Sequence, residues 1–396
     1  MRRLVSSESF TDGHPDKVAD QISDSVLDTV LDRCPDAVAT CETLVTTQLV
    51  LVGGEVRGFG EGNPGLDIAD VVRRTLRRIG CNDDRYGIDA DSCSVLVAMG
   101  RPLGALDDGA AGGREDPIGR VGGAVWDPDG QAGVYGYATD EHPTFLPQPV
   151  AHAHALSRQL AAVRRVGGSV FGPRGSAMVT VEYEDQVATR VVSVAVSTQH
   201  DEDATTDEVE SAVAEQVLGP VLDGAPGLDG CSLVVNPLRQ VVPGGPHVSW
   251  GLTGRTIIAD TYGGVARHGG AGLSGKDPSR FDRAGAYASR WVAKNLVASG
   301  VAARCEVHLS SPDGRVAPAT VAIDTFGTEQ VDPTSIAAVV REVFDLRPSS
   351  IVRDLDLRRP IYSDASVFGH FGRVEAWCTW ERLDRVPALT SAFGLG

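Results

Sequence analysis

The stretch GHPDKVADQISDSVLDTVL, residues 13–31, decides how the N-terminal part of the chain folds. Its apolar residues recur at helical spacing, so we predict an amphipathic helix over residues 16–31, with the proline in the first turn. A helix N-terminus carries free N–H groups and a partial positive charge, which favours a bound anion. His14 and Lys17 could donate to phosphate oxygens, and Asp16 offers a hard oxygen ligand for Mg²⁺. A plain helix cap with a solvated lysine is the alternative interpretation.

A second helix entry follows the glycine-rich stretch GGAGLSGKDPSRFDR, residues 269–283. We predict a helix over residues 278–299, ended by Gly300. The loop glycines allow backbone N–H groups to approach an anion closely, although the lysine is followed by aspartate and the loop is therefore not a Walker A motif. The residues that could carry chemistry are Gly272, Lys276, Arg280 and Asp282. A glycine-rich turn with a plain helix cap is the alternative interpretation, but two helix entries that combine basic residues with a carboxylate indicate a metal–polyphosphate pocket.

Three further residues are candidates with an open role. Arg255 lies in GLTGRTIIADTYGG, residues 251–264, where we expect a glycine-rich turn to lead into a strand. An arginine there could bridge phosphates or pair with a surface carboxylate. Glu55 follows two glycines at an expected turn, where glutamate is usually solvated. Glu42 has apolar neighbours, and a buried carboxylate there would need a cation or hydrogen-bond donors.

Length and composition restrict the class of protein. A chain of 396 residues predicts two to three domains, and three α/β domains fit best. With 36 basic and 53 acidic residues the net charge is −17, which argues against binding nucleic acid or an anionic membrane surface. Seven scattered cysteines without a Cys-x-x-Cys pair indicate reduced thiols. We find no secretory signal and no apolar stretch of the ~20 residues that a membrane span needs, so we expect a cytoplasmic protein.

Several elements outside the motifs can also be predicted. We expect strands over residues 46–52, 188–197 and 317–324, the first of them stopped by Gly53 and Gly54. Residues 100–133 read as a long loop, either a linker or an active-site lid, and a second break falls at 236–246. Residues 258–263 and 323–327 resemble each other, which indicates repeated strand–turn units. We interpret His152 and His154 as structural, since their spacing does not place them on one helix face.

Taken together, these motifs resemble the S-adenosylmethionine synthetase (methionine adenosyltransferase) family over nearly the whole chain. The matching segments are residues 7–24, 41–43, 52–56, 136–140, 197–200, 251–255, 274–278 and 369–373. The resemblance implies that the methionine sulfur attacks C5′ of ATP and expels tripolyphosphate, which is then hydrolysed to phosphate and diphosphate. A thioether sulfur needs no deprotonation, which agrees with the lack of an obvious general base in the motifs.

The resemblance also implies roles for single residues. The phosphates of ATP would be bound by His14, Lys17, Arg255, Gly272, Lys276 and Arg280. The catalytic set would be His14, Arg255 and Lys276. Methionine would be bound by Glu55 and Arg280, Mg²⁺ by Asp16 and Asp282, and K⁺ by Glu42.

The family fold implied is α/β (α+β): three similar domains about a pseudo-threefold axis, with sheets packed together and helices outside. We expect the domains at residues 1–100, 122–238 and 239–396, with 100–121 as a mobile lid. Two chains would pair face to face as a homodimer with active sites at the interface, and dimers could pair into a tetramer. The partners would be ATP and L-methionine, with no nucleic acid and no membrane.

The chain departs from the family pattern at several motifs. The lid motif Gln-Ser-Pro-Asp of the family aligns with Gly-Arg-Pro-Leu at 100–103. An aspartate of another family motif aligns with Gly130, so this chain lacks it. Pro-Asp-Gly-Lys aligns with Pro-Arg-Gly-Ser at 173–176, and the residues flanking Gly-Leu-Thr-Gly-Arg are Ser249 and Thr256 rather than aspartate and lysine. Two alternatives to a methionine adenosyltransferase therefore stay open. One is a divergent paralogue that uses ATP with another nucleophile or acts mainly as a tripolyphosphatase, and the other is a non-catalytic nucleotide-binding partner of a true synthetase.

Overall fold

The computed structural model describes residues 2–57, 65–100, 132–222, 230–237, 244–311 and 320–395. Within these ranges the strands are β1 Arg2–Phe10, β2 Val38–Thr46, β3 Leu49–Arg57, β4 Asn82–Asp83, β5 Ile88–Asp89, β6 Ser94–Gly100, β7 Ala132–Thr139, β8 Phe171–Glu184, β9 Val187–His200, β10 Ser232–Val235, β11 Gly251–Leu252, β12 Arg304–Ser311 and β13 Thr320–Asp324.

Helices separate these strands. They are α1 Pro15–Arg33, α2 Ile68–Ile79, α3 Gln148–Arg164, α4 Thr206–Val213, α5 Gly219–Leu222, α6 Ile257–Asp260, α7 Phe281–Ala298, α8 Pro333–Val343, α9 Pro348–Asp354, α10 Tyr362–Ala365 and α11 Val386–Phe393. A π-helical turn, Ala214–Leu218, joins α4 to α5, and short 3-10 turns lie at Asp84–Tyr86, Gly245–His247 and Thr379–Glu381. In the part of the chain that the structure describes, no helix is both long and apolar enough to span a bilayer.

Three sheets repeat one pattern. Each is built on an antiparallel hairpin, β2–β3, β8–β9 or β12–β13, and each hairpin takes a further antiparallel strand from elsewhere in the chain. β1 pairs with β8, β7 pairs with β12, and β11 pairs with β2. The first two hairpins also carry a parallel strand, β6 beside β3 and β10 beside β9. This mixed arrangement confirms the predicted α/β class.

The pairings of β1, β7 and β11 with hairpins from other parts of the chain form a closed cycle. The order strand, helix, hairpin, helix occurs three times, beginning at β1, at β7 and at β11. The first strand of each repeat joins the hairpin of the next repeat, and the first strand of the third repeat returns to the hairpin of the first. Each sheet therefore contains residues from two repeats, and the three repeats are interlocked.

The two predicted helices that carry the motifs are confirmed. His14 is the N-cap of α1 and the proline occupies its first turn. The helix predicted over residues 278–299 begins three residues later, at Phe281 in α7, and Gly300 follows it with φ +76°, which is the left-handed conformation typical of a helix stop. α7 packs against β7 and β12, and its buried Arg290 pairs with Glu381 at 3.0 Å, which fixes the C-terminal segment onto the core.

The strand predicted over residues 46–52 was placed wrongly. Thr46 ends β2, a two-residue turn follows with Gln48 at φ +51°, and Leu49 begins β3. The glycines do not stop this strand, because β3 continues to Arg57. A Cβ on Gly54 would lie 2.0 Å from the carbonyl oxygen of Thr40, so glycine is required there by the close approach of β2 rather than by a chain reversal.

Other sequence expectations met mixed outcomes. The strand predicted over 188–197 lies inside β9, and the described part of the one predicted over 317–324 is β13. The expected strand after Arg255 is wrong, since residues 257–260 form α6, and the proposed repeat of strand–turn units fails with it. Most of the loop predicted over 100–133, including the lid at 100–121, lies outside the described residues. All seven cysteines are free.

Candidate active site

The loop before α1 is fixed against β8. The backbone N–H of Thr11 donates to the Gly175 carbonyl at 2.9 Å, and its hydroxyl donates to the Pro173 carbonyl at 2.8 Å. Gly13 is needed here because a Cβ would lie 2.4 Å from Pro173. The chain can therefore turn directly from the end of β1 into α1, which places His14 and the following carboxylate at one helix mouth.

His14 is neutral near pH 7. Burial, and then the positive charges of Arg174, Lys17 and Arg255, lower the pKa of His14 to about 3. Its Nδ1 accepts the N–H of Asp16 at 3.3 Å, so the remaining ring proton is assigned to Nε2. The ring packs on Phe10 with centroids 4.3 Å apart. His14 can therefore act as a neutral hydrogen-bond donor that is already oriented by the helix.

Asp16 is a nearly buried carboxylate beside a cation. It accepts the backbone N–H of Leu252 at 3.0 Å, and Nη1 of Arg255 lies 3.8 Å from the same oxygen. Burial raises the pKa of Asp16, an effect that the Leu252 N–H and the Arg255 charge partly offset. The Arg255 side chain is 54% exposed, and Nη1 also donates to the Trp250 carbonyl at 3.2 Å. These residues form the first cluster of the site, which we call the His14 cluster: His14, Asp16 and Arg255.

The structure corrects the prediction for Lys17. Its side chain is 2% exposed and donates to Asp20 at 2.7 Å, to Asp260, and to the Ser366 carbonyl at 3.0 Å. Burial opposes the charged ammonium, but the fields of Asp20 and Asp260 outweigh it and raise the pKa of Lys17. All three donors of the ammonium are in use, so Lys17 cross-links elements inside the protein and is neither a solvated residue nor a phosphate ligand.

The glycine-rich loop lies against the N-terminal half of β2, on the edge where β11 pairs further along the strand. Cys41 donates its N–H to the Gly275 carbonyl at 2.8 Å, and Asp277 donates to the Ala39 carbonyl at 3.2 Å. Gly275 has φ +78°, and a Cβ there would lie 1.9 Å from the Cys41 oxygen. Glycine is needed at position 272 because of a different neighbour, since a Cβ there would lie 2.3 Å from Gly254. Both glycines are therefore explained by close backbone packing, which holds the loop in one place.

Four predicted residues come together at the end of this loop. Lys276 donates to Asp282 at 2.7 Å. Arg280 donates to the Thr40 hydroxyl at 3.1 Å and lies 4.0 Å from Glu55, whose carboxylate also accepts from Arg57 at 3.1 Å. We call Glu55, Lys276, Arg280 and Asp282 the Lys276 cluster.

An open pocket of about 620 Å³ adjoins the Lys276 cluster on the outward face of β2 and β3. Its lining includes Glu42, Glu55 and Arg280 together with the apolar side chains of Leu44 and Leu51. Glu42 is exposed on this face, which corrects the expectation of a buried carboxylate. His154, in contrast, is structural as predicted, since it is buried with Nε2 2.8 Å from the Ala259 carbonyl.

Sequence reasoning missed a row of aspartates that positions both clusters. Asp16, Asp20, Asp24 and Asp28 recur every fourth residue of α1, and each accepts at least one backbone N–H from the C-terminal part of the chain. Asp20 accepts from Gly254 at 2.8 Å, and Asp24 accepts from Gly275 at 2.8 Å. The i, i+4 spacing is visible in the sequence and could have revealed this row, which we call the aspartate row.

Within the aspartate row, Asp24 has a further partner besides the Gly275 N–H. Asp24 also forms a fully buried bidentate pair with Arg283, at 2.7 and 2.9 Å. Arg283 in turn donates to the Lys276 carbonyl at 3.0 Å. The backbone on both sides of the Gly275–Lys276 peptide is thereby fixed to α1.

Comparisons with known proteins match nearly the whole sequence. Models of the S-adenosylmethionine synthetase N-terminal, central and C-terminal domains match residues 2–102, 127–241 and 243–382. An S-adenosylmethionine synthase of Nocardioides sp. is 48% identical over 397 residues, covering 99% of each chain. The chain belongs to the S-adenosylmethionine synthetase family. S-adenosylmethionine synthases of Corynebacterium jeikeium and Clostridium acetobutylicum, at 46% and 43% identity, cover 98% of the chain and 97% and 99% of their own length.

Membership of the synthetase family confirms the resemblance stated from the motifs and the enzyme class, methionine adenosyltransferase. The roles of single residues within the synthetase site stay predictions for this chain. The two clusters described above are the groups to which those roles would fall.

Proposed function

We propose that the chain forms S-adenosylmethionine from ATP and L-methionine and releases phosphate and diphosphate. The observation that carries the proposal is the Lys276 cluster of two cations and two carboxylates, of which Arg280 and Glu55 line an open pocket with apolar walls. That combination suits a substrate with an amino acid end, a thioether and a chain of phosphates. The near-full-length identity to S-adenosylmethionine synthases supports the same activity.

The phosphate end of ATP would be bound by both clusters. The leaving tripolyphosphate carries about four negative charges, and fixed cations around it stabilise the charge that develops as the C5′–O bond breaks. Lys276 and Arg280 would supply these charges from the loop that Gly275 locks against β2. Arg255 and the neutral His14 would supply donors from the helix mouth of α1.

Methionine would occupy the pocket on β2 and β3. Glu55 would take its ammonium group and Arg280 its carboxylate, since the two side chains lie 4.0 Å apart. Arg57, now paired with Glu55, would turn away towards solvent. The thioether would lie along Leu44 and Leu51, which line the pocket. A sulfur lone pair forms the S–C5′ bond while the C5′–O bond breaks and its electrons leave with the tripolyphosphate, so the step needs alignment and no base.

Mg²⁺ and K⁺ are part of the proposal. Asp16 and Asp282 are single carboxylates beside cations, and within the described ranges no three metal-ligating side chains come together. Such a donor set fits Mg²⁺, which is usually held by one or two carboxylates and completed by substrate phosphates. When bound, Mg²⁺ would stabilise the charge on the departing phosphate oxygens. Glu42 would bind K⁺, because it is an exposed oxygen donor on the pocket face.

We also propose a homodimer with active sites at the interface, which could pair further into a tetramer. The face of the β11–β2–β3–β6 sheet that carries the pocket leaves Leu51, Leu96 and Leu252 exposed, and apolar faces of this kind are usually covered by another chain. The cyclic exchange of strands supports three domains about a pseudo-threefold axis, near residues 1–100, 122–238 and 239–396. A cytoplasmic location goes with this proposal.

One incubation tests the proposed activity. The purified protein is supplied with ATP, Mg²⁺ and K⁺, with and without L-methionine, and S-adenosylmethionine and phosphate are quantified by chromatography. Methionine-dependent sulfonium product with equal amounts of phosphate and diphosphate is the expected result. Tripolyphosphate breakdown without a sulfonium product would instead identify a paralogue with another nucleophile. Nucleotide binding without turnover would identify a non-catalytic partner.

A further inference from the structure

Among the residues that the structure describes, none pairs with the guanidinium of Arg174, which lies beside the His14 cluster. It lies in β8 and is half-buried, and within the described part of the chain its guanidinium forms no hydrogen bond and no ion pair. Other arginines of this region are paired: Arg164 with Asp12 at 3.0 Å and Arg190 with Glu182 at 2.7 Å. A half-buried positive charge without a counterion is unfavourable, so a missing anion is the natural explanation.

The backbone places Arg174 at the helix mouth. Pro173 and Gly175, on either side of it, are the two residues whose carbonyls hold Thr11. Ser176, two residues further and therefore on the same face of β8, is opposite Phe10, and the His14 ring packs on Phe10. Arg174 thus lies on the outward face of the sheet next to the loop that carries His14.

The electrostatics agree with this placement. After burial, the charge of Arg174 is the largest contribution that lowers the pKa of His14. Burial lowers the pKa of Arg174 itself, and the negative charge of Asp16 opposes that effect. The charges of Arg174 and Asp16 therefore interact, although no ion pair within 4 Å forms between them. A bound anion between Arg174 and Arg255 would relieve the repulsion of their charges near His14.

We infer that Arg174 binds the phosphate chain of ATP and of the tripolyphosphate product, as a third donor beside His14 and Arg255. The inference rests on the proposed function, since that function supplies a polyphosphate. A guanidinium can donate two parallel N–H groups to one phosphate, which a serine or threonine cannot do. Ser176 and Thr256, the neighbours of Arg174 and Arg255 at this mouth, carry no charge, so Arg174 provides positive charge that they do not.

The test compares Arg174→Gln and Arg174→Lys with the wild type. Tripolyphosphate hydrolysis and S-adenosylmethionine formation are measured as kcat and KM for each substrate. For Arg174→Gln we expect kcat/KM for tripolyphosphate to fall about 10–100-fold, KM for ATP to rise, and KM for methionine to change less than about twofold. Arg174→Lys should recover part of the loss, because lysine restores the positive charge but not the two parallel N–H donors of a guanidinium.

Arg190→Gln is the matched control. It removes an arginine from the adjacent strand β9 opposite Glu182, eight residues along β8 from Arg174, and should leave both activities unchanged. An Arg174→Gln protein with kcat/KM for tripolyphosphate within twofold of the wild type overturns the inference. So does a variant in which KM for methionine and for tripolyphosphate rise together with a lower melting temperature, since that pattern indicates a structural role.

The inference can also fail or survive independently of the proposed function. If the wild type forms no S-adenosylmethionine, the binding of tripolyphosphate itself is measured by calorimetry for wild type and Arg174→Gln. Weaker binding by the variant supports the role of Arg174 although the proposed reaction has failed. Equal binding overturns the role of Arg174.

Discussion

Replacing Asp24 should destabilise the protein and slow its turnover, and the two effects can be separated. The side chains of Asp24 and Arg283 are 0% and 1% exposed. Removing one partner of a buried pair costs about 3–5 kcal/mol, because the other charge remains buried without compensation. At about 2 °C per kcal/mol for a chain of this size, Asp24→Asn should lower the melting temperature by about 6–10 °C.

A double variant separates stability from positioning. Asp24→Leu with Arg283→Met removes both charges and keeps apolar volume, an exchange that is often neutral for a buried pair. The melting temperature should therefore recover part of the loss, although the unpaired Gly275 N–H and Lys276 carbonyl still destabilise the folded state. Turnover should not recover, because the Gly275 N–H loses its acceptor and the Lys276 carbonyl loses its donor, so the loop is no longer fixed to α1. We expect kcat at least about tenfold below the wild type, which corresponds to about 1.4 kcal/mol in the barrier.

The assay pairs thermal unfolding, followed by circular dichroism, with S-adenosylmethionine formation. Asp28→Asn is the control on the same helix: Asp28 accepts from Tyr362 and Ser363, which lie outside both clusters, so this variant should lose stability and keep kcat. A double variant with wild-type kcat would refute the positioning role of Asp24. A double variant no more stable than Asp24→Asn would refute the account of the buried charge.

Three further outcomes follow from the site and its supports. Lys276→Ala should lower kcat about 100-fold or more with the melting temperature unchanged, because the side chain contacts Asp282 and fills no core volume, and Lys276→Arg should restore part of it. Gly275→Ala should lower the yield of folded protein, because a φ of +78° costs an alanine about 1–2 kcal/mol before the contact with Cys41 is counted. Gly270→Ala in the same loop, where a Cβ meets no described atom within 4 Å, should leave the yield of folded protein unchanged. Burial lowers the pKa of His154 to about 3, so below about pH 6.5 the unfolded chain binds a proton that the folded chain does not. The free energy of unfolding should therefore fall with acid by up to about 1.4 kcal/mol per pH unit. His154→Gln, which keeps a donor for the Ala259 carbonyl, should show a shallower acid dependence in urea unfolding measured from about pH 6.5 to 4.

Local patterns in the sequence predicted the helices that carry the site, because helical spacing and capping act over a few residues. Pro15 and Gly300 mark helix ends through their own backbone preferences, and both do so in the structure. The prediction that the glycines at 53 and 54 stop the strand is wrong, because it also rests only on residues that are close in sequence. Their requirement comes from β2, a neighbour in space, and a local pattern cannot distinguish a turn glycine from one that permits close strand packing.

The role of Lys17 could not be read from its neighbours in sequence. Its partner Asp260 is 243 residues away, and only the fold, in which α6 packs against β1, brings Asp260 to the ammonium of Lys17. The same holds for Arg174, which the sequence shows only as a departure from the family pattern. Its position beside His14 depends on the pairing of β1 with β8, which joins the first repeat to the second.

The cyclic exchange of strands explains why the site needs all three repeats. β1 and the loop after it, which carry His14, are held by the second repeat through Pro173 and Gly175. The loop that carries Lys276 belongs to the third repeat and is held by β2 and by the aspartate row of the first. Each of the two loops proposed to bind phosphate is therefore fixed by a repeat other than its own. In the proposed reaction, a polyphosphate bound to both clusters would contact loops that the interlocked sheets hold fixed, so the cations would stay in place while negative charge develops on the leaving group.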